Sequence, residues 1–164
     1  MLNVGLAIDQ TTIDITPITI ATPIQYIQFQ KEHGDSNITL PATVSWTRDT
    51  RNSAIYTTSG GVQKAGVEVA VPGVDLSFYR LTYSNQQYFS LTKDLILMLY
   101  GEVGYANGLE GQTLPFYKNF FAGGVGSVRG FETASLGPVD PLYPDTRLGG
   151  TRKVVLNAEL LMPF

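Results

Sequence analysis

The residue types best suited to binding are concentrated in residues 116–131, which read FYKNFFAGGVGSVRGF. This stretch holds four Phe, four Gly and a single arginine, Arg129. A guanidinium has five hydrogen-bond donors and keeps its charge, so Arg129 is either free in water or docked against a partner. The glycines permit chain reversals at positive φ. Because four Phe on a free loop would form an exposed apolar patch, we expect docking; an ordinary hairpin loop with a surface arginine is the alternative.

Other candidates for chemistry are weak. The sequence has no Cys and one His, His33, which argues against thiol catalysis, a histidine metal site and a Ser-His-Asp triad. The run Gly123–Gly126 lacks the Lys-Ser/Thr pair that completes a phosphate-binding loop. We therefore predict no catalytic residue, no metal site, no cofactor and no enzyme. Nothing in the spacing unites two carboxylates in a cleft among the acids Asp9, Asp49, Glu68, Glu102 and Glu159.

Composition restricts the class of protein. The 164 residues carry a net charge of −3, so no basic surface for nucleic acid is expected. Charged residues make up 15% of the chain, below the roughly 25% usual for soluble domains. No apolar run reaches the roughly 18 residues that a membrane helix needs. These properties suit a soluble β domain or a membrane β-barrel. No secretory signal opens the chain, so outside the cytoplasm residue 1 would not be its natural start.

Six segments alternate apolar and polar residues with period two and predict strands at 2–9, 38–48, 62–71, 77–88, 95–106 and 151–162. Pro41 should make its strand locally irregular. Short turns are expected at 72–76 and 89–94, a longer polar turn at 48–61, and long connections at 10–37 and 107–150. Residues 11–22 are expected to be partly extended. The simplest topology is an antiparallel up-and-down meander with its long loops mostly at one end.

A short helix is predicted at residues 23–33 within the first long connection. Thr22 is the expected N-cap, Pro23 the first helical residue and Gly34 the C-cap. His33 falls in the last turn, where a cation is favoured, so we expect it to have a capping role rather than a catalytic one.

The two faces of the predicted strands differ in a way that favours a membrane barrel. A solvent-facing surface should be rich in Lys and Glu, whereas this polar face mixes charges with glycines, as a barrel lumen with an inserted loop would. The predicted strand lengths and the aromatic residues near the strand ends also match those of a membrane β-barrel. A soluble β-sandwich binding module, with the loop as ligand site, remains the alternative. The polar face comprises Asn3, Gly5, Asp9, Thr39, Thr43, Ser45, Lys64, Gly66, Glu68, Glu102, Gly104, Asn157 and Glu159.

The loop resembles a known family. Residues 126–131, GSVRGF, resemble the [V/I]-R-G-[F/Y] motif of the Omp85 superfamily, and residues 114–124 are similar to the PFYxNFxAGG stretch of its BamA branch. Further similarity lies in YANG at 105–108, Val71-Pro72-Gly73, the strand of Trp46, Gly137-Pro138, and Asn157-x-Glu159 followed by Pro163. The resemblance covers nearly the whole chain; the loop motif is specific, whereas the strand matches alone are not.

The resemblance implies a sixteen-stranded barrel preceded by POTRA domains, of which residues 1–164 would form strands seven to twelve. The loop 107–150 would be extracellular loop six, folded into the lumen, and the helix would lie on loop four. The motif would be Val128, Arg129, Gly130 and Phe131, with Arg129 contacting acids of the barrel wall. Glu102 and Glu159 are the acids within this chain that could meet it. Supporting loop residues would be Phe116, Tyr117, Phe120, Gly123 and Gly124.

The implied function is non-chemical: folding and insertion of outer-membrane proteins in the outer membrane of a Gram-negative cell. Implied partners are outer-membrane lipid, the rest of the barrel, the POTRA domains, assembly lipoproteins and unfolded client proteins. Another Omp85 member, such as a TamA-like factor or a two-partner secretion transporter, is the alternative. Neither POTRA domains nor the first and last barrel strands are recognisable here. Since six strands are too few to close a barrel, both termini are interpreted as fragment boundaries.

Overall fold

The computed structural model describes residues 1–13 and 22–162. No helix within these residues has the length and apolarity required to cross a membrane. The strands are β1 (Leu2–Leu6), β2 (Asp9–Thr12), β3 (Ser36–Thr39), β4 (Pro41–Asp49), β5 (Gly60–Ala70), β6 (Phe78–Thr92), β7 (Leu95–Gly108) and β8 (Arg152–Leu161), and helix α1 (Ile24–His33) lies between β2 and β3.

Six of the strands form one antiparallel sheet in the order β1-β4-β5-β6-β7-β8. The predicted all-β meander of six strands with a short helix in a long loop is therefore confirmed. The expected turn at 89–94 is wrong in length. β6 and β7 run for 15 and 14 residues and leave only Lys93 and Asp94 between them, because the apolar alternation continues through Phe89 and Leu97, which pair.

The first two predicted strands are each shorter than expected. The segment 38–48 divides at Leu40, because Pro41 has no N–H to donate to a ladder. β3 on one side pairs with β2 in a separate two-stranded ladder, which the sequence did not predict. The segment 2–9 likewise ends at Leu6, so Asp9 and Thr39 pair with each other outside the main sheet. Residues 14–21, expected to be extended, and Pro163 lie outside the described residues.

Helix α1 starts one residue later than predicted. Pro23 is its N-cap, with φ −55° and ψ 137°, so Thr22 does not have that role. Gly34 is the C-cap at φ +77°, and its N–H donates to Gln30 O at 2.8 Å. The His33 ring stacks on Phe29 at 4.5 Å, and its Nδ1 lies 3.3 Å from Phe29 O in the last turn.

The two faces of the six-stranded sheet are distinct, as the alternation predicted. The apolar face, here called the outer face, remains exposed and carries Val4, Val44, Trp46, Val67, Leu81, Tyr83, Leu99, Val103, Val154, Leu156 and Leu160. The buried apolar clusters lie instead on the polar side, here called the inner face, against the connecting loops. A sandwich would bury the outer face under a second sheet, and within the described residues the only other sheet is the β2–β3 ladder.

Candidate functional site

The connection between β7 and β8, residues 109–151, is here called the arginine loop. It folds back on itself through isolated bridges that pair Phe120 with Gly150, Ala122 with Leu136, and Val139 with Arg147. It begins with a short 3₁₀ turn, Phe116–Lys118, and then runs across the inner face of the sheet. The inner-face positions that contact it are set by strand register, which aligns Glu68 with Arg80 and Gly104 with Lys153.

The tip of the loop is attached to β8 at two inner-face positions. Arg129 Nη1 lies 3.0 Å from Glu159 Oε2, with side-chain exposures of 65% and 20%. Two residues along the strand, Asn157 Nδ2 donates to Ser127 O at 2.5 Å. Ser127 is itself buried, and its Oγ accepts the Gly123 N–H at 3.4 Å. One contact is therefore an exposed ion pair, and the other fixes the loop backbone.

Glycines shape the chain on either side of the arginine. Gly123, Gly124 and Gly130 have φ values of +111°, +92° and +86°, which residues with a Cβ rarely adopt. A Cβ on Gly123 would also collide with the carbonyl oxygen of Glu132. Substituting any of these glycines would therefore strain the path that brings residues 127–129 to β8.

The remaining motif residues are less tightly held. Val128 is half-buried and lines a small cavity of about 240 Å³ with Phe121 and Val155. Phe131 is 53% exposed. Of the two acids suggested by the sequence, Glu102 does not contact Arg129. Its Oε1 lies 2.9 Å from Lys153 Nζ, and its Oε2 accepts the Tyr100 hydroxyl at 2.9 Å.

The start of the loop has a second attachment that the sequence did not reveal. Lys118 Nζ lies 2.6 Å from Glu68 Oε1 and 5.1 Å from the centre of the Phe78 ring. The Phe120 ring packs over Gly104, with the Arg80 guanidinium 4.3 Å from its centre. The only sequence feature that pointed to this contact was a single lysine within an aromatic run, because its partner Glu68 is 50 residues away in the chain.

Each inner-face glutamate of the six-stranded sheet is paired with a cation: Glu68 with Lys118, Glu102 with Lys153, and Glu159 with Arg129. Two of these cations come from the arginine loop. Removing the cation would leave a half-buried carboxylate without its counter-charge, which costs more than the pair contributes. The loop therefore helps to neutralise the surface that it covers.

We expect Glu68→Gln and Lys118→Gln to be strongly coupled. Each substitution alone leaves one charge of the 2.6 Å pair half-buried, so the double variant should lose less stability than the sum of the singles, by about 1.5 kcal/mol. Urea unfolding of the detergent-folded protein measures this coupling. Lys153→Gln combined with Glu68→Gln is the control and should be additive, because Lys153 pairs with Glu102. Additivity in the first cycle would show that the 2.6 Å pair does not hold the loop.

The 3₁₀ turn packs against helix α1. Phe116 stacks on Tyr26 at 4.0 Å and meets Phe29 edge-on at 5.6 Å, and Tyr117 meets Phe29 edge-on at 6.4 Å. Leu76 completes the cluster beneath them. Burial raises the pKa of Tyr26 and Tyr117 above the usual value for a phenol, so both rings pack in the neutral form. The two long loops therefore cover the same end of the sheet as one unit.

Phe29→Ala should separate these two loops. Phe29 is 5% exposed and is the shared neighbour of three aromatic rings, so its loss should cost about 3 kcal/mol of local stability. Amide hydrogen exchange over residues 24–33 should then accelerate about a hundredfold. Ile24→Ala, in the same helix at an exposed position, should leave exchange near wild type. Equal protection in both variants would mean that α1 is held by other contacts.

The amino-acid sequence is similar to that of a known protein family. Residues 2–164 match the Omp85 superfamily domain.

The chain belongs to the Omp85 superfamily.

Three curated Omp85 relatives are similar in sequence. BamA, an outer membrane protein assembly factor, is 36% identical in Neisseria meningitidis over 99% of this chain and 22% of the relative. BamA of Nitratidesulfovibrio vulgaris is 33% identical over 82% of this chain and 17% of the relative. A SAM50-like protein of Schizosaccharomyces pombe is 30% identical over 81% of this chain and 28% of the relative. The chain thus spans about a fifth of the length of the BamA relatives it matches, and the predicted Gram-negative outer-membrane location is confirmed.

The fold of this Omp85 chain also resembles a solved structure. BamA from Haemophilus ducreyi lacking POTRA domains 1–3 superposes with a TM-score of 0.82 and 20% identity, over 99% of this chain and 34% of that one. The six-stranded sheet therefore has the fold of a segment of the BamA barrel. The described residues contain no cluster of three His, Asp or Glu side chains that could hold a metal ion.

Proposed function

We propose that this chain is a central wall segment of the barrel of an outer-membrane insertase, which folds and inserts β-barrel proteins. Its six main strands would be strands seven to twelve of a sixteen-stranded barrel, residues 1–164 being part of that domain. The arginine loop would be extracellular loop six, and α1 would lie on extracellular loop four. The similarity to two BamA proteins over most of the chain supports this assignment.

The observation that carries the proposal is the docking of the motif loop onto the inner face. Arg129 reaches Glu159 at 3.0 Å and Ser127 accepts from Asn157 at 2.5 Å, while the apolar face points away. Such a loop occupies the lumen of a barrel rather than a binding surface in water. In this proposal the motif Val128, Arg129, Gly130 and Phe131 serves as a structural brace, with Arg129 as the residue that reaches the wall.

The proposed mechanism involves no bond chemistry. The loop stiffens the wall through its attachments at Lys118, Ser127 and Arg129, and keeps the lumen filled. Barrel strands beyond this chain would present unpaired edges to which client strands add by β-augmentation. Proposed partners are the remaining barrel strands, POTRA domains, assembly lipoproteins and unfolded outer-membrane proteins.

Depletion of the parent protein in its own cell tests the proposal. We expect the abundance of many unrelated outer-membrane β-barrels to fall together, because an insertase serves all of them. Quantitative mass spectrometry of the outer-membrane fraction, with lipid-anchored proteins as the control class, measures this. Loss of a single secreted protein, with β-barrel levels unchanged, would contradict the proposal.

The second candidate is another transporter or assembly factor of the same superfamily, such as a TamA-like factor or a two-partner secretion transporter. The 30% identity to a SAM50-like protein shows that the matched segment is not confined to BamA. The number of POTRA domains in the parent protein would distinguish these members.

A further inference from the structure

Charges are distributed very unequally between the two faces of the barrel segment. Within the described six-stranded sheet, the inner face carries both signs, in Asp49, Lys64, Glu68, Arg80, Glu102, Lys153 and Glu159. The outer face carries only two charged side chains, Arg48 on β4 and Arg152 on β8, and no acid. Both lie toward strand ends, where the apolar surface stops. Both charged side chains on the outer face of this sheet are therefore cationic.

Arg48 forms part of a polar notch in the outer face. A cavity of about 210 Å³ is lined by Arg48, Thr50, Gly61, Gln63 and Gln87. Register places these residues on one face, since Arg48 pairs with Gln63 and Gly61 pairs with Gln87. Glycine at 61 keeps the notch open, because a Cβ there would run into the Gln87 amide.

The notch lies at the membrane boundary. Trp46 lies two residues before Arg48 on the same face of β4. On β5, the next outer-face residue after Gln63 is Ala65, which pairs with Tyr83 on β6. Trp and Tyr mark the headgroup level of membrane proteins. The notch is on the side of the turns 50–59 and 93–94, at the end of the sheet opposite the arginine loop, and in outer-membrane barrels the longer loops are extracellular and the connections at the opposite end are periplasmic. It therefore opens toward the inner, phospholipid leaflet.

Polar groups in and beside the notch remain available to bind a ligand. Arg48 forms none of the ion pairs found among the described residues. Asn85, paired with Gln63 beside the notch, has a buried amide oxygen without a hydrogen-bond partner. A guanidinium beside amide groups matches a phosphate diester next to a hydroxyl or ammonium group.

We propose that this notch binds the headgroup of one phospholipid of the inner leaflet, with Arg48 on the phosphate and Gln63 and Gln87 on its polar substituent. The lipid's acyl chains would then lie along the apolar strip of Val44 and Trp46. The site needs only an outer face in contact with lipid, so it does not depend on the insertase activity.

Native mass spectrometry of the full-length parent protein in detergent tests the proposal, with dioleoylphosphatidylglycerol as the probe. We expect one tightly retained lipid in the wild type and about tenfold weaker retention in Arg48→Gln, because a charge-assisted contact is lost. Lys93→Gln removes a cation from the neighbouring turn without touching the notch and should retain the lipid. Equal retention in the two variants would overturn the proposal.

Two further measurements with other probes identify the ligand. Dioleoylglycerol, which has the same chains without phosphate, should not be retained, and millimolar inorganic phosphate should not displace the phospholipid. Displacement by phosphate would show a free-anion site instead, and retention of dioleoylglycerol would show binding through the chains alone. If Arg48→Gln fails to fold, Gln63→Leu with Gln87→Leu keeps the charge and should also weaken retention; unchanged retention there would contradict the assigned headgroup contacts.

Discussion

Arg129→Ala in the full-length parent protein should release the tip of the arginine loop and reduce outer-membrane protein assembly. The ion pair with Glu159 is exposed on the arginine side, so alone it contributes only about 1 kcal/mol. Its loss, however, leaves Glu159 at 20% exposure without a counter-charge beside the Asn157–Ser127 contact. We therefore expect a several-fold rise in protease cleavage within residues 123–137 and loss of heat-modifiable migration on gels.

The matched control is Arg147→Ala, in the same loop. Arg147 Nη1 donates only to Pro144 O within the loop and should be dispensable for docking. Glu159→Gln should reproduce the Arg129→Ala defect, and the double variant should be no worse than either single variant. Wild-type assembly and wild-type heat-modifiability in Arg129→Ala would count strongly against the proposed brace.

Gly104→Ala should destabilise the segment, because the added methyl has no room on the inner face. A Cβ at Gly104 would lie 2.7 Å from Phe120 Cε1 and Cζ and 3.1 Å from Cδ1. The ring cannot retreat freely, because the Arg80 guanidinium covers it and the Phe120 backbone is paired with Gly150 through two hydrogen bonds. Overpacking of this kind costs about 2 kcal/mol.

The urea midpoint of the detergent-folded parent protein measures the effect. Gly101→Ala on the outer face of the same strand is the control. Its Cβ would meet only Leu156 Cδ2, a flexible side-chain end, at 3.3 Å. Phe120→Leu should partly rescue Gly104→Ala by removing ring atoms from the clash. If Gly104→Ala and Gly101→Ala behave alike, Phe120 does not pack on the barrel wall.

The features that sequence could predict are those carried by local periodicity. The faces of β5 to β8 follow from strict alternation, so the exposure of Val67 on the outer face and the position of Glu68 on the inner face could be predicted without a structure. The C-cap at Gly34 follows from one residue type at a helix end. Docking of the arginine loop was predicted from its four Phe, and it buries Phe120, although Phe131 stays 53% exposed.

The features that sequence could not predict depend on register. Lys118 meets Glu68 only because the nine loop residues 109–117 and two strand pairings bring positions 50 apart together. The irregularity at Pro41 was predicted, but the pairing of β3 with β2 was not, because it joins segments separated by a helix. Alternation fixes the face of a residue, but not the partner it meets on that face.

In the proposed barrel, the arginine loop lies inside a cavity walled by the inner face while the outer face contacts lipid. Thiol cross-linking in intact cells tests it most directly, since these 164 residues contain no native cysteine. Ser127→Cys with Asn157→Cys should be joined efficiently by a short bifunctional thiol reagent, whereas Ser127→Cys with Leu156→Cys, one residue along β8 on the outer face, should not. Cross-linking through position 156 but not 157 would contradict the account.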